Sequence, residues 1–142
     1  KTNAGGVNDT HLVSLGLDLL PTLCEVGGAN IPETLEGLSL QSLAEGKTPD
    51  SWREELIVET EINIGSGPGG GGASRAVLTD QYKYSAFPMG RYREQLVDLQ
   101  NDPGEMVNLA VNSRFKNELD DHRRRLRQWC EKTNDPFLKM CM

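Results

Sequence analysis

Between residues 11 and 28 the chain turns from polar to apolar, in the run His11-Leu12-Val13-Ser14-Leu15-Gly16-Leu17-Asp18-Leu19-Leu20-Pro21-Thr22-Leu23-Cys24-Glu25-Val26-Gly27-Gly28. One long helix here conflicts with Pro21, because proline deep inside a helix removes a backbone donor and clashes with the preceding turn. With Asp18 as N-cap, Pro21 falls in the first turn, where no intrahelical donor is needed. This reading predicts a short buried strand or extended entry at 12–15, a helix over 19–26, and a stop at Gly27 or Gly28. Leu19, Leu20, Leu23, Cys24 and Val26 cover most of that helix's circumference, so it needs packing on several sides. A loop at 31–37 and a short helix over 39–45 follow, with Ser39 as cap and Gly46 as stop.

The pattern changes at residue 56. Leu56-Ile57-Val58 opens an apolar run that then alternates to Ile62 and Ile64, which predicts a strand over 56–64. The glycine-rich stretch 65–72 is a low-complexity loop. Further strands are expected over 74–79, 82–87 and 95–99, and their short connections favour an antiparallel sheet. Asn101-Asp102-Pro103-Gly104 marks a turn, with Pro103 fixing φ and Gly104 free to take a positive φ. A helix over 113–133 closes the pattern. Phe115, Leu119, His122, Leu126 and Trp129 form its apolar stripe, and Asp120–Arg124 and Asp121–Arg125 are its expected i,i+4 pairs. The run Arg123-Arg124-Arg125 has acidic neighbours within one turn and reads as a solvated face.

Composition narrows the function classes. The 142 residues carry a net charge of −6, which argues against nucleic-acid or anionic-membrane partners, since both need a basic surface. No stretch approaches the roughly 18 apolar residues of a membrane span, and no signal peptide follows Lys1. A chain that opens in loop without Met is expected of a piece of a longer protein. Cys24, Cys130 and Cys141 show no Cys-x-x-Cys spacing and read as free thiols rather than zinc ligands.

Most candidate chemistry fails on context. Gly65-Ser66-Gly67-Pro68-Gly69-Gly70 matches G-x-G-x-x-G, but a strand rather than a helix follows and Pro68 removes an amide donor. The stretch from Asp98 lacks the sixth-position glycine and twelfth-position glutamate of a calcium loop, having Pro103 and Leu109 there. No Gly-x-Ser-x-Gly elbow occurs, and His11 and His122 read as packing histidines. Arg75, beside the glycine loop, and Arg91 and Arg93, which bracket Tyr92, are the candidate substrate-binding residues. Loops at sheet ends carry recognition, and the guanidinium fork suits sulfate, phosphate or carboxylate.

The order of segments resembles the late part of sulfatases of the alkaline-phosphatase-like superfamily. Val13-Ser14 followed by Leu17-Asp18-Leu19-Leu20-Pro21-Thr22-Leu23 resembles their V-S-x-x-D-x-x-P-T-L stretch, and Glu36-Gly37-Leu38-Ser39-Leu40 their D-G-x-S-L segment, with Glu36 for the usual Asp. Trp52-Arg53 and Tyr82-Lys83-Tyr84 follow in the family's order. Glu94-Gln95-Leu96-Val97-Asp98-Leu99-Gln100-Asn101-Asp102-Pro103-Gly104-Glu105-Met106-Val107-Asn108-Leu109-Ala110 is similar to E-L-Y-D-L-x-N-D-P-G-E-x-x-N-L-A. The resemblance implies a sulfuric-ester hydrolase as parent, arylsulfatase-type. The fold it implies is an α/β (α+β) fragment. Residues 1–50 would be the helical tail of the large α/β domain. Residues 51–142 would be a C-terminal subdomain with an antiparallel sheet of about four strands packed by a long C-terminal helix. Formylglycine arises in Cys/Ser-x-Pro-x-Arg, and neither Cys24 nor Cys130 fits. No catalytic or metal residue is therefore expected in this chain. Calcium, formylglycine and the sulfated substrate would belong to the parent, exported to a periplasmic or extracellular space. The expected partner is the rest of the catalytic domain, with self-association through the apolar helix when that is missing. A free-standing interaction module and a piece of a related phosphodiesterase or phosphotransferase are the alternatives.

Overall fold

The computed structural model describes residues 6–61 and 72–140 and separates into two compact units, Lys1–Glu54 and Glu55–Met142. The boundary falls later than the expected 50/51 because Trp52 and Arg53 are bonded into the first unit. Trp52 Nε1 donates to the Leu12 carbonyl at 2.8 Å, and the Arg53 guanidinium takes both carboxylate oxygens of Asp18.

In the first unit α1 runs over Leu15–Val26 with Pro21 inside it, so the extended segment expected at 12–15 is replaced by an earlier helix start. Ser14, not Asp18, is the capping position. Asp18 lies one turn in and reaches back, its Oδ2 accepting from the Ser14 amide at 2.8 Å. Pro21 has no N–H to offer the Leu17 carbonyl four residues earlier. Gly37 packs against that carbonyl so closely that a Cβ there would lie 1.9 Å from Leu17 O. Two further bonds hold the segment in place. The Leu38 amide donates to Asp18 Oδ1 at 2.9 Å, and the Leu40 amide to Thr22 Oγ1 at 2.9 Å. The proline is thus tolerated because a second segment covers the place where the helix loses its own bond.

This clamp inverts the usual amphipathic arrangement. Asp18 and Pro21 are fully buried, while Leu15, Leu19, Leu20, Leu23 and Val26 are each at least half exposed. Among the described residues of its own unit, α1 is covered on one side only, and its leucines point outward. Its end follows expectation: Gly28 takes φ +68, and the Ala29 amide closes onto the Cys24 carbonyl at 2.8 Å. Helix α2 spans only Gln41–Ala44, with Ser39 Oγ accepting from the Gln41 amide at 3.2 Å and Gly46 at φ +74 ending it.

The second unit is built on β1 (Leu56–Glu61), β2 (Ala73–Leu78), β3 (Tyr82–Ala86) and β4 (Glu94–Asp98), an antiparallel sheet in chain order. The expected continuation of the first strand to Ile64 and the glycine stretch 65–71 lie outside the described residues, as does Cys141. Register puts Arg75, Val77, Tyr84, Ala86, Glu94 and Leu96 on one face. Helix α3, Lys116–Thr133, packs on that face through Leu119, His122, Leu126 and Cys130. Residues 113–115, expected as its first turn, form a tighter 3₁₀ turn, Ser113–Phe115. Phe115 and Trp129 are partly buried at the edge, and Cys130 takes the fully buried place on the stripe. The charge pairs differ in detail: Asp121 pairs with Arg125 as expected, while Asp120 pairs with Arg123 and Lys116 instead of Arg124.

The long segment after β4 is a self-bonded turn. Asp98 accepts from the amides of Gln100 and Asn101 and from the Asn101 side chain. Asn108 ties the segment back to β4, accepting from the Leu96 amide at 3.1 Å and donating to the Glu94 carbonyl at 3.0 Å. The residue that takes positive φ is Glu105, at 54°, not Gly104. Its carboxylate pairs with Lys83.

Candidate functional site

Three parts of the second unit converge on one cleft: the end of the β3–β4 hairpin, the middle of α3, and the 3₁₀ segment Pro136–Met140. The hairpin connection turns at Gly90, whose φ of +107 suits glycine. The Phe87 amide closes it by donating to the Arg93 carbonyl at 2.8 Å. That closure sets Arg93 at the cleft mouth beside Glu94. On α3, Arg123 and Arg127 lie four residues apart and so share a helix face. The cleft holds about 320 Å³, with Leu126 and Phe137 in its lining.

A hydrogen-bonded pair occupies one wall. Glu94 accepts from Arg123 Nε at 2.7 Å and Nη2 at 2.5 Å, and from the Tyr84 hydroxyl at 2.7 Å. The Arg123 hydrogen bonds hold the Glu94 carboxyl below the ordinary range; burial opposes this, and the Tyr84 bond and the charges of Arg123 and Arg93 add to it. Hydrogen bonding to Glu94 likewise pushes Arg123 upward against burial. Both groups are therefore charged across the whole physiological range. Among the described residues, the guanidiniums of Arg93, Arg123 and Arg127 and the carboxylate of Glu94 line the cleft.

Of the arginines singled out in the sequence, only Arg93 reaches this cleft. Arg91 lies over the Tyr92 ring at 5.5 Å. Arg75 is 4% exposed and engaged inside the unit: Nε meets Asp135 Oδ2 at 2.8 Å, and Nη2 meets Oδ1 at 3.2 Å. Asn134, in the left-handed conformation that ends α3, directs the chain so that Asp135 reaches Arg75. Arg75 thus ties β2 to the segment after α3. The missing partners of Arg93 were Arg127 and the Glu94–Arg123 pair. The i,i+4 spacing of Arg123 and Arg127 was legible, but only the fold brings residue 93 beside them.

The remaining candidates are satisfied by neighbours. His122 Nδ1 meets the Glu118 carbonyl at 2.7 Å and Nε2 the Thr79 hydroxyl at 3.2 Å. His11 bonds Asn8 and meets the Trp52 ring edge-on. The buried carboxylates are each engaged by neighbours: Asp18 by Arg53 and two amides, Asp135 by Arg75 and the Phe137 amide, and Asp98 by Gln81, Gln100 and Asn101. Among the described residues, no group of three or more His, Cys, Asp or Glu side chains is set to hold a metal ion, and no helix is long and apolar enough to cross a membrane.

Comparison with known proteins places this geometry. Residues 1–132 match the family described as N-sulphoglucosamine sulphohydrolase, C-terminal. The Delta 4,5-hexuronate-2-O-sulfatase of Bacteroides thetaiotaomicron is 32% identical over 131 residues, covering 91% of this chain and 26% of its own length. Arylsulfatase K of Xenopus laevis is 34% identical, covering 74% of this chain and 20% of its own. The solved structure of a 2-O GAG sulfatase superposes with a TM-score of 0.80 at 29% identity, over 92% of this chain and 27% of that one. A phosphonate monoester hydrolase of Agrobacterium radiobacter shares the fold, with a TM-score of 0.60 at 24% identity. The chain thus spans about a quarter of the length of the relatives it matches. With its antiparallel sheet, its terminal helix and its match over residues 1–132, this chain belongs to the sulfatases of the alkaline-phosphatase-like superfamily, as a sulfatase C-terminal domain.

Proposed function

We propose that this chain is the C-terminal part of a sulfuric-ester hydrolase, that it packs against the remainder of the catalytic domain, and that it lends a recognition surface to substrate while the hydrolytic centre is supplied by the remainder. The observation that carries this reading is the family match over residues 1–132 in a sequence without Cys/Ser-x-Pro-x-Arg; the nearest approach, Ser66-Gly67-Pro68-Gly69-Gly70, ends in glycine where arginine is needed. Formylglycine and calcium would belong to the remainder, and no side chain described here stands in for either. The outward leucines of α1 support the packing role, since an apolar patch of this kind marks a surface meant to be covered. The printed names of relatives, a hexuronate sulfatase and a GAG sulfatase, favour a sulfated sugar as the substrate class. An exported parent, periplasmic or extracellular, is part of the same proposal.

The test is an assay of the intact parent on matched sulfate and phosphate esters, alongside the 142-residue chain alone. Sulfate release by the parent and none by the chain is expected. Turnover that scales with the concentration of this chain alone, or a parent that releases only phosphate, overturns the proposal.

A further inference from the structure

We propose that Asn8 is an N-glycosylation acceptor, the side-chain amide to which a sugar chain is joined when the protein is exported through a compartment that carries lipid-linked sugars. Asn8-Asp9-Thr10 is an Asn-x-Thr triplet without proline in the middle position, and no other asparagine of the chain heads such a triplet. The inference rests on the exported-parent part of the reading above and is independent of which ester the parent cleaves.

A triplet this short also arises by chance, so its placement carries the inference. Asn8, Asp9 and Thr10 are all exposed, in the loop that precedes α1. The two polar atoms of the Asn8 amide have separate tasks. Oδ1 holds the loop: it accepts from the Thr10 amide at 3.2 Å, the Thr10 hydroxyl at 3.3 Å and the His11 amide at 3.2 Å, and His11 Nδ1 lies 3.0 Å away. Nδ2 makes no hydrogen bond among the described residues. Beside it a hollow of about 450 Å³, bounded by Asn8, His11, Leu43 and Lys47, leaves room for a first sugar.

The reaction uses the free atom and spares the bonded one. Nδ2 attacks the anomeric carbon of a sugar carried as a lipid diphosphate ester. The N–C bond forms and the C–O bond to the diphosphate breaks. The diphosphate leaves with the electron pair, and one Nδ2 proton passes to a base of the transferring enzyme. A primary amide becomes a secondary one, and its carbonyl oxygen is unchanged. The contacts to Oδ1 therefore survive attachment, and the folded loop accepts the product with its hydrogen bonds intact. A bulky, solubilising group of this kind belongs on such a surface loop.

The test is expression of the intact parent behind a supplied secretion signal in a eukaryotic host. N-glycans are then released by an amidase in water labelled with heavy oxygen, which turns an occupied asparagine into labelled aspartate, and the peptide that carries Asn8 is read by mass spectrometry. Label at Asn8 is expected in the wild type, at lower occupancy in Thr10→Ser, and is lost in Thr10→Ala and in Asn8→Asp. The last variant separates the two tasks of the side chain: a carboxylate keeps an acceptor oxygen for the loop but has no nitrogen to modify. It should therefore melt with wild type produced without export, so that loss of the glycan is not loss of the fold. A secreted parent that releases sulfate with Asn8 unlabelled overturns the acceptor and leaves the sulfatase reading standing. Label that persists in Thr10→Ala overturns it too. Label behind the supplied signal, in a parent that its own leader does not export, supports the acceptor and overturns the exported-parent reading.

Discussion

Replacing Gly37 by alanine places a methyl group where the Leu17 carbonyl already sits. The added Cβ would lie 1.9 Å from Leu17 O, 2.5 Å from Leu17 C and 3.0 Å from Pro21 Cγ. The first two are backbone atoms held in α1 and cannot swing aside, so the 36–40 segment must lift. Lifting it breaks the Leu38 amide bond to the Asp18 carboxylate and the Leu40 amide bond to the Thr22 hydroxyl, both 2.9 Å. A hydrogen bond to a charged group contributes about 1.5–3 kcal/mol and a neutral one about 0.5–1.5 kcal/mol. Alanine stiffens the unfolded chain, which returns about 0.4–1 kcal/mol. The net expectation is a loss of about 2–3 kcal/mol, and by the usual scaling a fall in melting temperature of roughly 8 °C or more for a unit of this size. Urea and thermal unfolding, followed by circular dichroism, measure it. Gly16→Ala is the control: its Cβ meets only Ser14 Oγ, at 3.9 Å, and a helical alanine there should be neutral or stabilising. A Gly37→Ala chain that melts with the wild type would refute the clamp.

Other expectations follow from the same contacts. Burial alone would raise the Asp18 carboxyl, but the hydrogen bonds from Arg53, Ser14 and Leu38 and the Arg53 charge hold it below its ordinary 3.8; Asp135 is lowered in the same way by Arg75 and Phe137. The folded chain therefore binds these protons less readily than the unfolded chain. Their stabilisation is complete above the unfolded value and is lost as pH falls through the folded values, so melting temperature should drop steeply below about pH 4, with a shallower slope in Asp18→Asn. Arg75→Ala leaves Asp135 buried with its charge answered only by the Phe137 amide and should cost about 3–5 kcal/mol, while Arg75→Met with Asp135→Leu should cost less than either single change; equal costs in all three would deny the coupling. The 142-residue chain should self-associate through α1, and Leu19→Ser with Leu23→Ser should reduce this in light scattering; a wild-type chain that is a clean monomer with a sharp melt counts against it.

Local pattern alone determined much of this protein. Alternation at 74–79 and 82–87 and the stripe Leu119, His122, Leu126 specify a sheet face and a helix face whose periods, 2 and 3.6, differ enough to be read directly. The short connections made the sheet antiparallel, and the ordered motif from Glu94 to Ala110 carried the family. Pro21 shows where that reading stops. Its cost inside α1 is set by Gly37 and Leu38, which are distant in sequence, so the helix start and the role of Asp18 were decided by tertiary contact. Arg75 and Arg93 stand in similar local settings, beside a glycine loop and a tight turn. One is buried against Asp135 and the other opens into a cleft, because only the packed sheet, α3 and the segment after it determine which guanidinium meets a carboxylate and which meets solvent.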